Sequence, residues 1–280
     1  MSAGPRLGVV GHVEWVDFAV VPRLPVAGEI VHAREHLALP GGGGAVAAVQ
    51  GRRLAGAALF LTAVGSDGLG ERARAELAGT YGVDVHAAVR DRPQRRAFTH
   101  LDDRAERTIT VLGERIVPHG GDPLPWELLA GCAAVYFTGG DPEALRAARA
   151  ARVLVATPRA LDTLVAAGVQ LDVLVASASD PGEHVPPGAI DPPPRHVVLT
   201  QGAAGGHWTA ADGATGRWAA AAPPGPPVDA YGCGDSFAIG LTYALGEGRP
   251  LDEALELGAR CGAHCLAGRG PYGAELPRVE

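Results

Sequence analysis

Short apolar runs recur along the chain at Leu7–Val10, Ala58–Ala63, Ala134–Thr138, Arg152–Ala156, Val173–Ala176 and His196–Thr200. Each has the length and character of a strand buried on both faces. Most end in Gly, Thr or Ser, so the loops that follow can present side chains or amides above the strand ends. Between these runs the period changes from continuous to helical. Leu69, Ala73 and Leu77 recur every fourth residue while Glu71, Arg72 and Glu76 turn away, which predicts an amphipathic helix ending near Gly79. Leu251, Ala254, Leu255, Cys261, Cys265 and Leu266 mark another, with Pro250 before it and Asp252 and Glu253 suited to its positive N-terminus. Strands alternating with helices predict an α/β fold with a mostly parallel central sheet flanked by helices.

Two stretches break the alternation. Phe18–Leu39 and His86–Val117 carry period-two patterns, as in Ala97-Phe98-Thr99-His100-Leu101 and Arg107-Thr108-Ile109-Thr110-Val111, with acidic turns between them. They predict antiparallel strands outside the main sheet, forming a small sheet over the strand ends as a lid or a dimer surface. Proline crowding at 181–194 and 223–227 marks two exposed loops.

Composition narrows the function classes. The chain has 280 residues, of which 47% are hydrophobic and 5% aromatic, enough for one large core or two small ones. Its formal charge of −7 is offset by no basic arm, which argues against a duplex nucleic-acid binder but leaves room for a local anion site of N–H groups. The chain contains neither Lys nor Asn, so lysine Schiff-base chemistry and a P-loop lysine are excluded. Cys132, Cys233, Cys261 and Cys265 form no CxxC pair, and Cys261, His264 and Cys265 lack a fourth metal ligand nearby. With no leader before Leu7 and no apolar run of membrane-spanning length, a reduced, cytoplasmic protein without a membrane partner is expected.

The sharpest local chemistry lies in Val228-Asp229-Ala230-Tyr231-Gly232-Cys233-Gly234-Asp235-Ser236-Phe237, followed by a helix with Phe237, Leu241 and Leu245 on its apolar face. Two glycines around Cys233 let the backbone turn tightly into that helix, so its first free N–H groups converge with the positive end of the dipole on an anion. Asp235 is ill placed to bind a phosphate. It is well placed to accept the proton of a hydroxyl attacking one. Pro40-Gly41-Gly42-Gly43-Gly44-Ala45, ahead of an Ala/Val-rich helix, lets backbone come close to a ligand. Thr200-Gln201-Gly202-Ala203-Ala204-Gly205-Gly206 follows an apolar strand and offers small residues and a hydroxyl to a nucleotide, or makes a hairpin turn.

The order and content of these segments resemble the ribokinase-like carbohydrate kinases, the PfkB family, over nearly the whole chain. Pro40–Ala45 is similar to the family's N-terminal glycine signature, and Val64-Gly65-Ser66-Asp67-Gly68-Leu69-Gly70 with Gly82-Val83-Asp84-Val85 to its next conserved-pattern stretch. Glu106-Arg107-Thr108 is similar to its lid strand, Thr200-x-Gly202 to its nucleotide strand, and Asp229–Phe237 to its C-terminal signature. The resemblance implies a ribokinase-like three-layer sandwich in one domain over residues 1–280, with a small antiparallel β lid contributed by about 13–39 and 86–117. It implies ATP with Mg²⁺, a sugar or sugar-like substrate, and a homodimer through the lid.

Carried over residue by residue, the resemblance makes Asp235 the catalytic base and the amides of Gly232, Cys233 and Gly234 the anion hole. Thr200, Gly202 and Gly205, with Ala259 and Gly262 on the last helix, would border the nucleotide. Ser177 and Asp180 stand where the family places an N-x-x-E motif, with Asp180 acting indirectly on Mg²⁺. Asp229 stands beside a monovalent-cation site, where Ala230 replaces a common Thr. Glu14 and Asp17 are the candidates for the substrate's hydroxyls, with Gly41 and Gly42 closing from the other side, and Val46 replaces an Asn that reaches the sugar in ribokinase-like members. The leading expectation is an ATP-dependent kinase of a sugar or sugar-like alcohol. The alternatives are a nucleoside kinase, if Trp15 stacks on a base, and a catalytically weak nucleotide- or sugar-binding member, for which the altered N-x-x-E segment argues.

Overall fold

The structure, a computed structural model, describes residues 7–102 and 107–274; Glu106 of the lid-strand motif lies outside the described residues. The elements in chain order are β1 (Leu7–Val10), β2 (Glu14–Val20), β3 (Glu35–Gly41), α1 (Gly43–Ala55), β4 (Ala58–Gly65), α2 (Gly68–Gly79), β5 (Asp84–Arg90), β6 (Arg96–Leu101) and β7 (Arg107–Leu112). The second half adds β8 (Ala134–Phe137), α3 (Pro142–Ala148), β9 (Val153–Ala156), α4 (Leu161–Ala167), β10 (Val173–Ser177), β11 (His196–Thr200), β12 (Gly206–Ala210), β13 (Thr215–Trp218), α5 (Cys233–Gly246) and α6 (Leu251–Leu266).

The apolar runs become a 9-stranded sheet in the order β13-β12-β11-β10-β9-β8-β1-β4-β5. Every pairing from β5 to β11 is parallel, and β12 and β13 close one edge as antiparallel strands. Because successive strand residues point to opposite faces, a continuous apolar run feeds two cores at once. Val9, Phe60, Tyr136 and Val155 pack with Val49, Leu77, Ile239 and Leu255 of α1, α2, α5 and α6. Val10, Leu61, Phe137 and Leu154 pack with Leu145 and Leu164 of α3 and α4. The result is the three-layer arrangement the alternation predicts. No helix among the described residues is long and apolar enough to cross a membrane.

A second, 4-stranded sheet has the order β3-β2-β6-β7. Its outer pairs are antiparallel, while β2 and β6 run parallel. The stretch His86–Val117 divides between the sheets: its first residues belong to β5, which pairs with β4 in parallel register from Leu59↔Asp84 to Gly65↔Arg90. Its period-two pattern arises because an edge strand is half solvated, which mimics a lid strand in sequence. Within Phe18–Leu39, residues 21–34 form a loop between β2 and β3.

One sequence motif hinges the two sheets. Asp67 caps α2 by accepting from Gly70 N at 3.1 Å, and its second oxygen accepts from Gln94 N at 3.1 Å. The buried Gln94 amide then accepts from Gly65 N at 2.9 Å and donates to Val13 O at 2.8 Å. The turn after β4 is thereby tied to the entry of β6 and the start of β2.

Candidate active site

The site forms where α5 points its N-terminus at the underside of the small sheet. Gly232 precedes the helix with φ 83°, a left-handed conformation that glycine adopts without strain. A Cβ there would also stand 2.9 Å from Pro271 Cβ and 3.0 Å from Val46 Cγ1, so turn and packing both require glycine. The first bond of the helix is Ser236 N to Gly232 O at 2.9 Å, which leaves the N–H groups ahead of it without an intrahelical acceptor. The predicted glycine turn into the helix is present, with Cys233 N donating to Ala230 O at 3.5 Å. The Cys233 thiol lies 3.9 Å from Asp229 O and is hydrogen-bonded to Cys265.

Asp235 lies in the first turn of α5, partly buried. Tyr136, buried at the end of β8, places its hydroxyl 3.5 Å from Asp235 Oδ1. On the opposite side a Cβ at Gly43 would come within 2.8 Å of the same oxygen, so the first residue of α1 must lack a side chain. Burial raises the Asp235 carboxyl to about 6, and the charge of Glu183 adds to this, while Arg159, Arg107 and Arg115 work against it. A carboxyl near 6 is mostly ionised at neutral pH yet markedly more basic than an exposed one, which suits a general base.

The glycine segment Gly41–Gly44 wraps under Glu14. Gly42 has φ 84°, and its N–H donates to Tyr231 Oη at 2.9 Å, joining this loop to the turn before α5. Glu14 is buried, with Arg95 Nε at 2.8 Å and His12 Nε2 at 3.6 Å. Burial opposes its ionisation, but His12, Arg95 and Arg115 together hold its carboxyl below the ordinary value. His12 is neutral: burial and the Arg115 charge pull it down to about 4. Arg115 donates to His12 Nδ1 at 2.9 Å, so the ring proton resides on Nε2, facing Glu14.

Asp17 does not join Glu14. Odd and even positions of β2 face opposite sides, and Asp17 pairs with His36 at 3.2 Å and Arg96 at 3.0 Å across the neighbouring strands of the small sheet. Trp15 shares that face; it is 3% exposed, with the Arg72 guanidinium 4.4 Å from its ring centroid. Stacking on a ligand is closed to it.

The remaining predicted residues fall in four places. Ser177 ends β10 beside Thr200 at the end of β11, where they are register partners, and Gly202 and Gly205 form the tight turn into β12. These stand together at adjacent strand ends, and the segment after β11 makes the hairpin turn into β12. Asp180 caps the short turn at Gly182 and pairs with Arg159. On α6, Gly262 lies where that helix crosses α5: a Cβ would be 3.2 Å from Cys233 O, and Ala259 packs on the neighbouring core. Asp229 is fully buried and accepts from Tyr231 N at 2.8 Å and Gly270 N at 3.0 Å. Burial outweighs those two bonds and raises its carboxyl above the ordinary value.

Four groups near Asp235 escaped the sequence reading. Glu183 folds back so that one oxygen accepts from Ser177 N at 2.7 Å and the other from Arg159 Nε at 2.8 Å. Arg107, on β7, donates to Ala230 O and so ties the small sheet to the turn before α5. Arg115 and Arg159 close the ring. A carboxylate three residues beyond the Ser177–Asp180 segment was one signal available, and the lid-strand motif holding Arg107 was another; Arg115 and Arg159 stand outside any motif and carry none.

Known proteins share the family pattern and the fold. The family model described as pfkB family carbohydrate kinase matches residues 5–180 and 188–277. A curated relative, acarbose 7(IV)-phosphotransferase of Actinoplanes sp., is 41% identical over 71 residues; the match spans 25% of this chain and only 24% of that protein's length. Among solved structures, Arabidopsis thaliana ribokinase complexed with ribose and ATP superposes with a TM-score of 0.74 at 19% identity, covering 95% of this chain and 94% of that one. The nucleoside kinase of Methanocaldococcus jannaschii gives a TM-score of 0.71 at 17% identity, with 98% and 96% covered. The likeness to the two structures concerns the fold.

Proposed function

The chain belongs to the pfkB family of carbohydrate kinases, and on that premise we propose that it transfers the γ-phosphoryl group of ATP to a hydroxyl of a sugar or sugar-like acceptor. The observation that carries this reading is the Asp235 carboxylate, lifted to about 6, in the first turn of α5 directly after the Gly232–Gly234 turn and between Tyr136 and Gly43. The acceptor lies between Glu14 and the Gly41–Gly42 backbone. Its hydroxyl proton passes to an Asp235 oxygen as the oxygen attacks phosphorus and the bond to ADP breaks. The amides of Gly232, Cys233 and Gly234 take up charge on the transferred group. A positioned base supplies roughly 10²–10⁴ in rate, and one oxyanion donor about 3–4 kcal/mol.

The nucleotide lies over the ends of β10 and β11, its phosphates toward α5 and its ribose and base near Thr200, Gly202, Gly205 and the α6 face bearing Ala259 and Gly262. Mg²⁺ belongs to this reading as a hydrated ion carried on the phosphates. Among the described residues no group of three His, Cys, Asp or Glu side chains could cage a metal, and Asp180 and Glu183 already accept from Arg159. That donor set fits an ion that keeps most of its waters. When bound, the ion would neutralise charge on the phosphates, and Asp180 and Glu183 would be the carboxylates to hold its water shell.

Sugar is favoured over nucleoside because Trp15, the one aromatic of the acceptor segment, is covered by Arg72. The whole chain acts as one kinase domain with the small sheet as lid. A homodimer through that lid fits the wholly exposed outer strand β7, whose Leu112 is 47% exposed. A reducing, cytoplasmic setting fits four free cysteines. The test is ADP release by the purified protein over a panel of sugars and nucleosides with ATP and Mg²⁺; sugar-dependent release is expected, and ATP binding with no release for any acceptor would instead mark a non-catalytic binder.

A further inference from the structure

Two of the four cysteines meet where α5 begins and α6 ends. Cys233 is the first residue of α5, and Cys265 lies in the last turn of α6. Small residues let the two helices close on each other. A Cβ at Gly262, three residues before Cys265, would stand 3.2 Å from Cys233 O, one at Gly258 2.9 Å from Phe237 O, and one at Gly240 2.5 Å from Cys261 Sγ. Leu266 O, next to Cys265, accepts from Val228 N at 2.8 Å and from Asp229 N at 3.2 Å. The segment leading into α5 is thereby laced to the end of α6.

The two thiols are hydrogen-bonded to each other. Cys265 Sγ also lies 3.4 Å from Tyr231 O and 3.8 Å from Pro271 O, and Cys233 Sγ lies 3.9 Å from Asp229 O, so both sulfurs sit under one turn of chain. Cys132 and Cys261 differ: they pack in the two apolar cores. Cys265 is 1% exposed and Cys233 is half-buried, so the pair opens to solvent on the Cys233 side. The bond between them, and then burial, push the Cys233 thiol up; the same bond holds the Cys265 thiol below the ordinary thiol range. Cys265 is therefore the more acidic member, and the thiolate is the reactive form of a cysteine.

We propose that Cys233 and Cys265 are an oxidation site, joined by hydrogen peroxide into a reversible disulfide that draws the turn ahead of α5 toward α6 and halts turnover. The pairing does not depend on the kinase reading; the loss of turnover does. The Cys265 thiolate attacks one peroxide oxygen, the O–O bond breaks, and the departing hydroxide takes up a proton. The Cys233 sulfur then attacks the Cys265 sulfur, its proton goes to the hydroxyl on that sulfur, and water leaves. Two thiols and one peroxide give one disulfide and two waters, with two electrons passing from sulfur to oxygen. Hydrogen-bonded sulfurs stand well beyond the disulfide length of about 2.05 Å, so the pair must close up. Cys265 is anchored in α6 between Cys261 and Leu266, whereas Cys233 begins its helix after the left-handed Gly232, so Cys233 is the one that moves. It carries the Gly232–Gly234 amides with it, and a displacement of about 1 Å costs up to about 10²-fold in rate. Transient disulfides of this kind are the form compatible with a reducing compartment.

The test treats the reduced full chain with hydrogen peroxide, alkylates the remaining thiols under denaturing conditions and maps the peptides by mass spectrometry. ADP release and ATP-dependent thermal shift are measured before oxidation, after it and after dithiothreitol. A peptide linked through Cys233 and Cys265 is expected, with Cys132 and Cys261 alkylated, a fall in turnover of at least about tenfold, and recovery with dithiothreitol. Cys265→Ala, which lies outside the cleft, should turn over like wild type and hold that rate in peroxide. Cys261→Ala should respond to peroxide as wild type does, and thermal melting checks the fold of both variants. Should Cys265→Ala fail to fold, the linked peptide and its reversal in the wild type decide. Absence of the linked peptide, another pairing, or a linked protein with undiminished turnover and an unchanged ATP shift overturns the proposal. If the reduced protein releases no ADP with any sugar, the kinase reading falls, and the linked peptide with a dithiothreitol-reversible change in the ATP shift still carries the oxidation site.

Discussion

The proposed mechanism places the proton transfer on one side chain, Asp235, and its surroundings set what should be measured. Asp235→Asn keeps size and a hydrogen-bond acceptor but cannot take a proton at neutral pH, so kcat should fall roughly 10²–10⁴-fold while ATP binding persists; coupled ADP release and nucleotide-dependent thermal shift read the two separately. Undiminished turnover would remove Asp235 from the mechanism. In the wild type, log kcat/KM should rise with pH and level off above about 6, where the buried carboxyl has ionised. The same shift has a consequence for stability. The folded-state value lies above the ordinary 3.8, so the stabilising contribution of this group is complete below that pH and is lost as pH rises through about 6. Asp235→Asn should therefore melt higher than wild type at pH 8, by up to about 3 kcal/mol of stability, and equally at pH 3.5. The residue itself was legible in sequence because Gly232, Cys233 and Gly234 precede it. Glu183 and Arg159, which set its basicity, were not, because they meet it only through the folding of residues 158–183.

At the scale of elements, the site depends on how closely α1, α5 and the small sheet approach. Gly43→Ala would place a Cβ 2.8 Å from Asp235 Oδ1, displacing the carboxylate toward Tyr136. We expect kcat to drop at least about tenfold with little loss of melting temperature, since Gly43 opens α1 where helical alanine is otherwise favourable. Wild-type turnover in this variant would show that the loop adjusts and the approach is not critical. Tyr231→Phe removes the hydroxyl that accepts from Gly42 N and leaves that N–H buried without a partner. It should destabilise by about 1–3 kcal/mol and raise KM for the acceptor, measured by denaturant melts and steady-state kinetics. The glycine run was readable as a place of close approach. What approaches it was not, because Tyr231 and Asp235 are some 190 residues away in sequence.

For the whole molecule, ion dependence separates the two cation sites the family resemblance raised. Turnover should cease with EDTA and return with Mg²⁺, as phosphate charge needs a counter-ion. K⁺ should change kcat little at fixed ionic strength. Ala230 offers no hydroxyl, its carbonyl is taken by the Arg107 guanidinium, and both Asp229 oxygens accept backbone N–H groups. A several-fold rise in kcat with K⁺ over tetramethylammonium would contradict that reading.

The architecture follows from local pattern. Continuous apolar runs can be satisfied only between two helical layers, and the glycines around Cys233 fix a tight turn into a helix start whatever surrounds it. Both are short-range properties, carried by consecutive residues. Three things waited for tertiary structure, each because it depends on residues distant in the chain. The pleat of β2 put Glu14 and Asp17 on opposite faces with separate partners, since a strand shows both faces equally in sequence. The sheet that owns residues 84–90 was decided by pairing with β4, which the half-solvated pattern of an edge strand conceals. The ring of Arg107, Arg115, Arg159 and Glu183 around Asp235 arises from four separate segments, because electrostatic coupling follows distance in space and not separation along the chain.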